Sequence, residues 1–434
     1  MSYYIIPKIN NWVNINPKHG EGHILSPYIS SSLFQYYKDL NEQIKNNIKT
    51  NTELMLEYDE VIKIVNPYEY IFSKVPGSKF SVSKLKPKTN IFYDFLEVST
   101  ILNVFELYKN KPIKTLHLSR NNNDSIECFE MLRENYSDEI VCHDEINDNV
   151  IASIGENKFD FLFFEANIKN YDSYIISLIQ CVMIILRNQL FNGSSIIKID
   201  NIFHKPVVDI LYILSSLYEK VYVLKPNTSN ITTFDKYIVC KNFQYNESKA
   251  RFLKLNYYRL LIFLKKLENN HIDSVLDFDI PYYFTMKLED INIIIGQQQI
   301  DSLDLIINIL KNKNRDEKIE TIKKSNIQKS VSWCEKYKIP FNKFSEKTNI
   351  FLPILKEYKM NIRNEENELI DNELIDNEEN ELIDNEENEL IDNEENELID
   401  NEENELIDNE ENELIVNELI ENELIDNELI ENEK

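Results

Sequence analysis

Between residues 90 and 245 the chain alternates two kinds of apolar segment. Thr115–Ser119, Glu139–Cys142, Phe159–Phe164, Ser194–Ile199, Lys220–Lys225 and Tyr237–Cys240 are short runs without strict alternation of apolar and polar residues. Runs of that length and texture predict strands covered on both faces. Asn90–Leu107, Asp124–Asn135, Tyr171–Leu190 and Lys205–Tyr218 are longer, and they predict the covering helices. Strands and helices in that order predict a mostly parallel, doubly wound α/β domain over residues 90–245.

The flanks have a different texture. Residues 1–89 mix short apolar segments with polar punctuation, such as Asn66-Pro-Tyr-Glu-Tyr70 and Val75-Pro-Gly-Ser-Lys79, and read as an amino-terminal extension. Residues 246–363 are helical in pattern. Within them Ser248–Leu267 interleaves Lys249, Arg251, Lys254 and Lys265 with Phe252, Tyr257, Tyr258 and Phe263. Such a stretch is either a solvated helix with its aromatics in the core or a basic groove with stacking platforms for RNA.

From residue 364 to 434 the chain repeats Asn-Glu-Glu-Asn-Glu-Leu-Ile-Asp, with Leu-Ile pairs spaced by five or eight residues. At about 100° per helical residue, eight residues carry each pair about 80° beyond two turns, so no continuous apolar stripe or heptad seam forms. Dense like charge at helical spacing weakens a helix further. The repeat therefore predicts a solvated, disordered acidic tail, with docking of a protein partner or competition with RNA for basic surfaces as the functional alternatives.

That tail changes the meaning of the overall charge of −28 in 434 residues. It holds 32 of the 75 acidic side chains and one lysine, leaving 43 acidic and 46 basic residues before it. The body is near neutral and does not exclude a polyanionic partner. The first residues, Met-Ser-Tyr-Tyr-Ile-Ile-Pro-Lys, lack the pattern of a secretion signal, and the apolar run Ile175–Leu190 is short and polar-interrupted for a bilayer span. A cytoplasmic protein without a membrane partner is expected. Five cysteines without ligand spacing predict reduced thiols and no metal site. His117, His143 and His204 stand apart and read as structural or exposed.

Two segments carry candidate chemistry. Asn192-Gly-Ser-Ser-Ile-Ile-Lys-Ile199 places a lysine, Lys198, at the end of a buried strand, where a charge needs a partner. Lys225–Phe243 is a strand, a Ser/Thr-rich loop containing Asp235 and a return strand, and loops at the carboxyl edge of such sheets bind ligands. A structural ion pair accounts for lysine and aspartate equally well.

These segments, with Leu178-Ile-Gln-Cys181, Ile202-Phe-His-Lys-Pro-Val-Val-Asp209, Leu214-Ser-Ser216, Glu219-Lys-Val-Tyr222 and Asp235-Lys-Tyr-Ile-Val-Cys-Lys241, resemble the FtsJ-type RNA 2'-O-methyltransferases. The likeness is to the cap-methylating forms of large cytoplasmic DNA viruses, and it extends back to about Ser78. It implies a Rossmann-like methyltransferase sheet, S-adenosylmethionine as cofactor, RNA and in particular capped mRNA as partner, and a host-cytoplasm or virion location. It also implies a Lys-Asp-Lys-Glu tetrad acting on a ribose hydroxyl. The central lysine maps onto Lys198, the aspartate onto Glu165 and the final glutamate onto Asp235. The cofactor turn maps onto Ser119, Asn121 and Asn123, with Asp144 or its neighbour Glu145 as the acid for the adenosine ribose, a helix-capping or surface role being the alternative for that acid.

The chain departs from that pattern at defined places. Glu165 and Asp235 each differ by one methylene from the family's residue. The helix expected to hold the first lysine reads Phe92-Tyr-Asp-Phe-Leu-Glu-Val98, leaving Lys84, Lys86 and Lys88 as upstream candidates. No glycine lies between Gly77 and Gly155, although a cofactor turn needs close backbone approach. The alternative is a catalytically inactive methyltransferase-like protein that binds RNA or acts as a scaffold. Removing residues 364–434 is expected to strengthen RNA binding at low salt, by taking away a polyanion that competes for the same basic surface. Filter binding at two ionic strengths checks this, and unchanged affinity would mean the tail never reaches that surface.

Overall fold

The computed structural model describes residues 3–342, apart from 12, 21–25, 50–52, 121, 167–169, 245–249, 268–270 and 312–315. The acidic repeat lies outside the described residues. In chain order the elements are β1 (Tyr3–Ile6), β2 (Lys18–Gly20), α1 (Ser31–Lys49), α2 (Glu53–Val65), α3 (Ile91–Ile101), β3 (Lys114–Leu118), α4 (Asn122–Leu132), β4 (Glu139–His143), α5 (Asp148–Ile154) and β5 (Phe159–Glu165). There follow α6 (Tyr171–Asn188), β6 (Gln189–Ile199), α7 (Lys205–Leu217), β7 (Tyr218–Leu224), β8 (Lys236–Phe243), α8 (Ala250–Lys265), β9 (His271–Ser274), α9 (Tyr282–Lys311) and α10 (Asp316–Lys336).

Seven strands form one sheet in the order β1-β7-β8-β6-β5-β3-β4. β4, β3, β5 and β6 are mutually parallel, whereas β8 runs antiparallel between β6 and β7, and β1 pairs antiparallel with β7. This is a Rossmann-like α/β sheet, doubly wound as expected. Both faces are covered, which is why its strands lack alternation. Along β5, Leu162 and Phe164 join one apolar cluster with Leu178 and Val182 of α6. Phe161 and Phe163 join the other, with Phe92 and Phe95 of α3 and Phe129 of α4.

Outside the sheet, α1, α2 and α9 share a third cluster built on Leu40, Ile44, Val61, Val65, Leu303 and Ile306. Among the described residues no helix is long and apolar enough to cross a membrane. The helix expected over Asn90–Leu107 ends at Ile101, because Asn103 takes a left-handed φ of 45° and the amide of Val104 turns back to the Ser99 carbonyl at 3.0 Å.

The entry into β6 also differs from the expected helix Tyr171–Leu190 and strand Ser194–Ile199. Gln189 already starts the strand, and Asn192 (φ 57°) and Gly193 form a bulge, so that Phe159 faces Gln189 while Phe161 faces Ser194. A Cβ on Gly193 would lie 2.8 Å from the Leu190 carbonyl oxygen and 2.9 Å from that of Asp160. Both are backbone atoms with little freedom to retreat. Gly193→Ala is therefore expected to destabilise the fold by about 1–3 kcal/mol, read as a lower midpoint in urea unfolding.

Candidate functional site

β5 and β6 are paired in register, with Glu165 opposite Lys198 at their carboxyl ends. The Lys198 ammonium lies 3.2 Å from Glu165 Oε1, and the two side chains are only 16% and 17% exposed. The second oxygen of the same carboxylate accepts a hydrogen bond from the Ser119 hydroxyl at 2.7 Å. Ser119 follows β3, and its amide donates to the His143 carbonyl of β4 at 3.2 Å. One glutamate thus ties together the carboxyl ends of β3, β5 and β6.

The hairpin β7–β8 supplies the opposite wall. Lys225, just past β7, donates to Asp235 Oδ1 at 3.0 Å and to the backbone carbonyls of Thr233 and Asp235 at 2.8 and 3.1 Å. The Thr233 hydroxyl also donates to Asp235. β8 then passes Lys198, which lies opposite Tyr237. Lys236, the first residue of β8, is fully buried; its ammonium donates to the Phe234 carbonyl at 2.9 Å, and burial, with Lys225 nearby, pulls its pKa down to about 7.

Helix α3 adds two carboxylates that the sequence reading did not single out. Asp94 accepts from the Thr228 hydroxyl at 2.5 Å and from the Tyr237 hydroxyl at 3.0 Å. Glu97 accepts from the amides of Asn227 and Thr228 at 2.9 and 3.4 Å. Both residues are buried, at 2% and 0% exposure. Their signal in the sequence was two acids three residues apart in an otherwise apolar helix.

Burial alone would lower the pKa of Lys198, but Glu165, Asp235 and Asp94 outweigh it and hold the group above its usual value. Lys198 is an ammonium at neutral pH. Asp235 is pushed up by burial, yet Lys225 and Lys198 overcome this and keep it below the ordinary carboxylate value. Asp94 is carried up to about 6 by burial, against the pull of Lys198 and Thr228. Burial raises Glu97 to about 7.

The other expected residues are dispersed. Asn123 is exposed in the first turn of α4, Asp144 is exposed just past β4, and Asn121 lies outside the described residues. Asp124 is buried, accepting from the amides of Lys88 and Thr89 and from the Thr89 hydroxyl. Lys86 reaches Ser81 at 3.0 Å, and neither Lys84 nor Lys88 is ion-paired among the described residues. His117 is buried, with Nδ1 3.0 Å from the Ser125 hydroxyl, and burial lowers its pKa to about 3.

No protein-family model matches the chain, and no curated protein matches it in sequence. Among solved structures it is similar to a protein described as a ribosomal RNA methyltransferase from Plasmodium falciparum, at 14% identity and a TM-score of 0.29, over 37% of this chain and 100% of that one. It is also similar to human methyltransferase-like protein 13 in complex with SAH, at 13% identity and a TM-score of 0.23, over 45% of this chain and 97% of that one. A third similarity is to Haemonchus contortus phosphoethanolamine N-methyltransferase 2 in complex with S-adenosyl-L-methionine, at 11% identity and a TM-score of 0.23. That match covers 35% of this chain and 38% of the other.

Glu97 makes stability depend on pH. Its pKa rises from 4.5 to about 7 on folding, so its protonated form stabilises the fold below about 4.5, and this contribution is lost as the pH climbs through 7. Glu97→Gln removes the charge and is expected to flatten that loss by roughly 1–3 kcal/mol between pH 5.5 and 8. Urea midpoints of the two proteins at both pH values check this.

Proposed function

We propose that this chain is an S-adenosylmethionine-dependent RNA ribose 2'-O-methyltransferase acting on capped mRNA. The observation that carries the reading is Lys198, a buried ammonium at the carboxyl edge of the sheet, paired to Glu165 and facing Asp235. A ribose hydroxyl is a weak nucleophile at neutral pH, so its oxygen must be held and its developing charge met. Lys198 is placed to do both as a donor. Glu165, 3.2 Å from Lys198, would be the acceptor for the proton the hydroxyl gives up. Alignment by these groups then supplies much of the remaining acceleration.

Residues just past the neighbouring strands are the candidates for the nucleoside end of the cofactor. Asp144 is exposed past β4 and adjoins Ser119 through the bond from the Ser119 amide to the His143 carbonyl. Asp144 would take the ribose hydroxyls, with Ser119 after β3 and Asn123 in the first turn of α4 as the further candidates. When bound, S-adenosylmethionine supplies an electrophilic methyl group on a sulfonium.

A second reading, a catalytically silent RNA-binding or scaffolding protein, is favoured by α3. Where the resemblance calls for a lysine, this helix presents Asp94, so the site holds Lys198 among three carboxylates. Transfer of tritiated methyl groups to capped RNA separates the two readings. The proposed activity predicts incorporation that falls at least about 100-fold in Lys198→Ala, and equal signal from both proteins would sink it. Micromolar binding of S-adenosylmethionine by calorimetry would count against the silent reading.

A further inference from the structure

At the opposite edge of the sheet, before β5 begins, lies a cavity of about 470 Å³. Its walls are the Gly155–Lys158 turn, the end of α6 and the first turns of α8. That volume falls within the usual range of small-molecule pockets. The seven residues of β5 separate it from Glu165 by about 20 Å, so it is a place distinct from the Lys198 site.

The lining is basic and aromatic. Lys158, Arg187 and Lys254 face it with Tyr257 and Tyr258, against one lining carboxylate, Glu156. Arg187 is held in place: it donates to the Tyr257 hydroxyl at 2.8 Å, to the Ile151 carbonyl and to Asn188 Oδ1 at 3.3 Å, and its guanidinium lies 5.0 Å from the Tyr257 ring. Lys158 donates to a backbone carbonyl, that of Arg187. Among the described residues none of the three cations is ion-paired to a carboxylate. Burial, with Arg187 close by, lowers the pKa of Lys158, although Glu156 pulls the other way. An anion in the cavity would relieve that repulsion.

Helix α8 divides its aromatics between two tasks. Tyr257 and Phe263 face the core, whereas Tyr258 is 46% exposed beside Lys254, whose ammonium stands 6.0 Å from the Tyr258 ring. An exposed ring next to unpaired cations matches a flat base joined to a phosphate. The geometry points to a second ligand site for a phosphorylated nucleotide, with the phosphate between Lys158 and Lys254 and the base against Tyr258. Free mononucleotides and RNA strands share that chemistry. The site does not depend on methyl transfer at Lys198.

Calorimetry on the full chain with UMP and uridine tests it. UMP is expected to bind at least tenfold more tightly than uridine, and Lys254→Ala to weaken UMP about tenfold. Tyr258→Ala should weaken both ligands by a similar factor, and Lys198→Ala should leave both unchanged. Lys254 and Tyr258 lie on the surface of α8, so these variants keep the fold. No UMP binding, equal affinity for uridine, or binding lost in Lys198→Ala and kept in Lys254→Ala would each overturn the site. A 5'-phosphorylated tetrauridylate identifies the source. Tighter binding than UMP that Lys254→Ala abolishes assigns the site to an RNA strand, and affinity equal to UMP assigns it to free nucleotide; either result upholds it.

Discussion

A lysine at the end of a buried strand must keep its charge company, and the carboxyl edge of this sheet is organised around that requirement. Leaving an ammonium unpaired in a site 16% exposed would cost several kcal/mol or force the proton off. Three elements answer with carboxylates: Glu165 from β5, Asp235 from the β7–β8 hairpin and Asp94 from α3. Their combined effect outweighs burial, so the lysine stays charged. It is therefore a donor to an oxygen before it is a base for a proton.

The same charge distributes strain among its partners. Asp235 is ion-paired to Lys225 and also feels Lys198, and the two lysines hold it below the ordinary carboxylate value. Asp94 and Glu97 have no such direct ion pair among the described residues, and burial raises them to about 6 and about 7. What they hold instead is the loop after β7, through the amides of Asn227 and Thr228 and the Thr228 hydroxyl. Helix α3 is therefore a clamp on the loop that carries Asp235, and the buried acids trade their own ionisation for its position. At the other edge, Arg187, Lys158 and Lys254 stand with little carboxylate beside them, the reverse balance from the Lys198 site.

Most elements from Lys114 to Phe243 were legible in the sequence because each is encoded locally, the short helix α5 being the one that went unread. A run buried on both faces needs only its own apolar residues, and β5 and β6 show this plainly. β1 was not legible, since its four residues acquire strand character by pairing with β7 more than two hundred positions away. The bulge at Asn192 and Gly193 was hidden for a similar reason: the atoms that exclude a Cβ include the carbonyl of Asp160 on the neighbouring strand. Lys198 and Asp235 could be named in advance, because ionisable residues beside buried strands stand out against apolar neighbours, whereas Glu165 was named only through the family resemblance.

What surrounds them was decided by tertiary structure. Neither the reach of Glu165 to Ser119 nor the approach of Asp94 to Lys198 has a local cause, because each joins residues brought together only when strands and helices stack. The tail is the contrary case, where composition alone separated a polyanion from a near-neutral body. Local patterning thus determined the sheet, its covering helices and the identity of the charged residues. Packing decided which charges meet, and electrostatic interaction in a poorly solvated site depends on distances that no one-dimensional pattern contains.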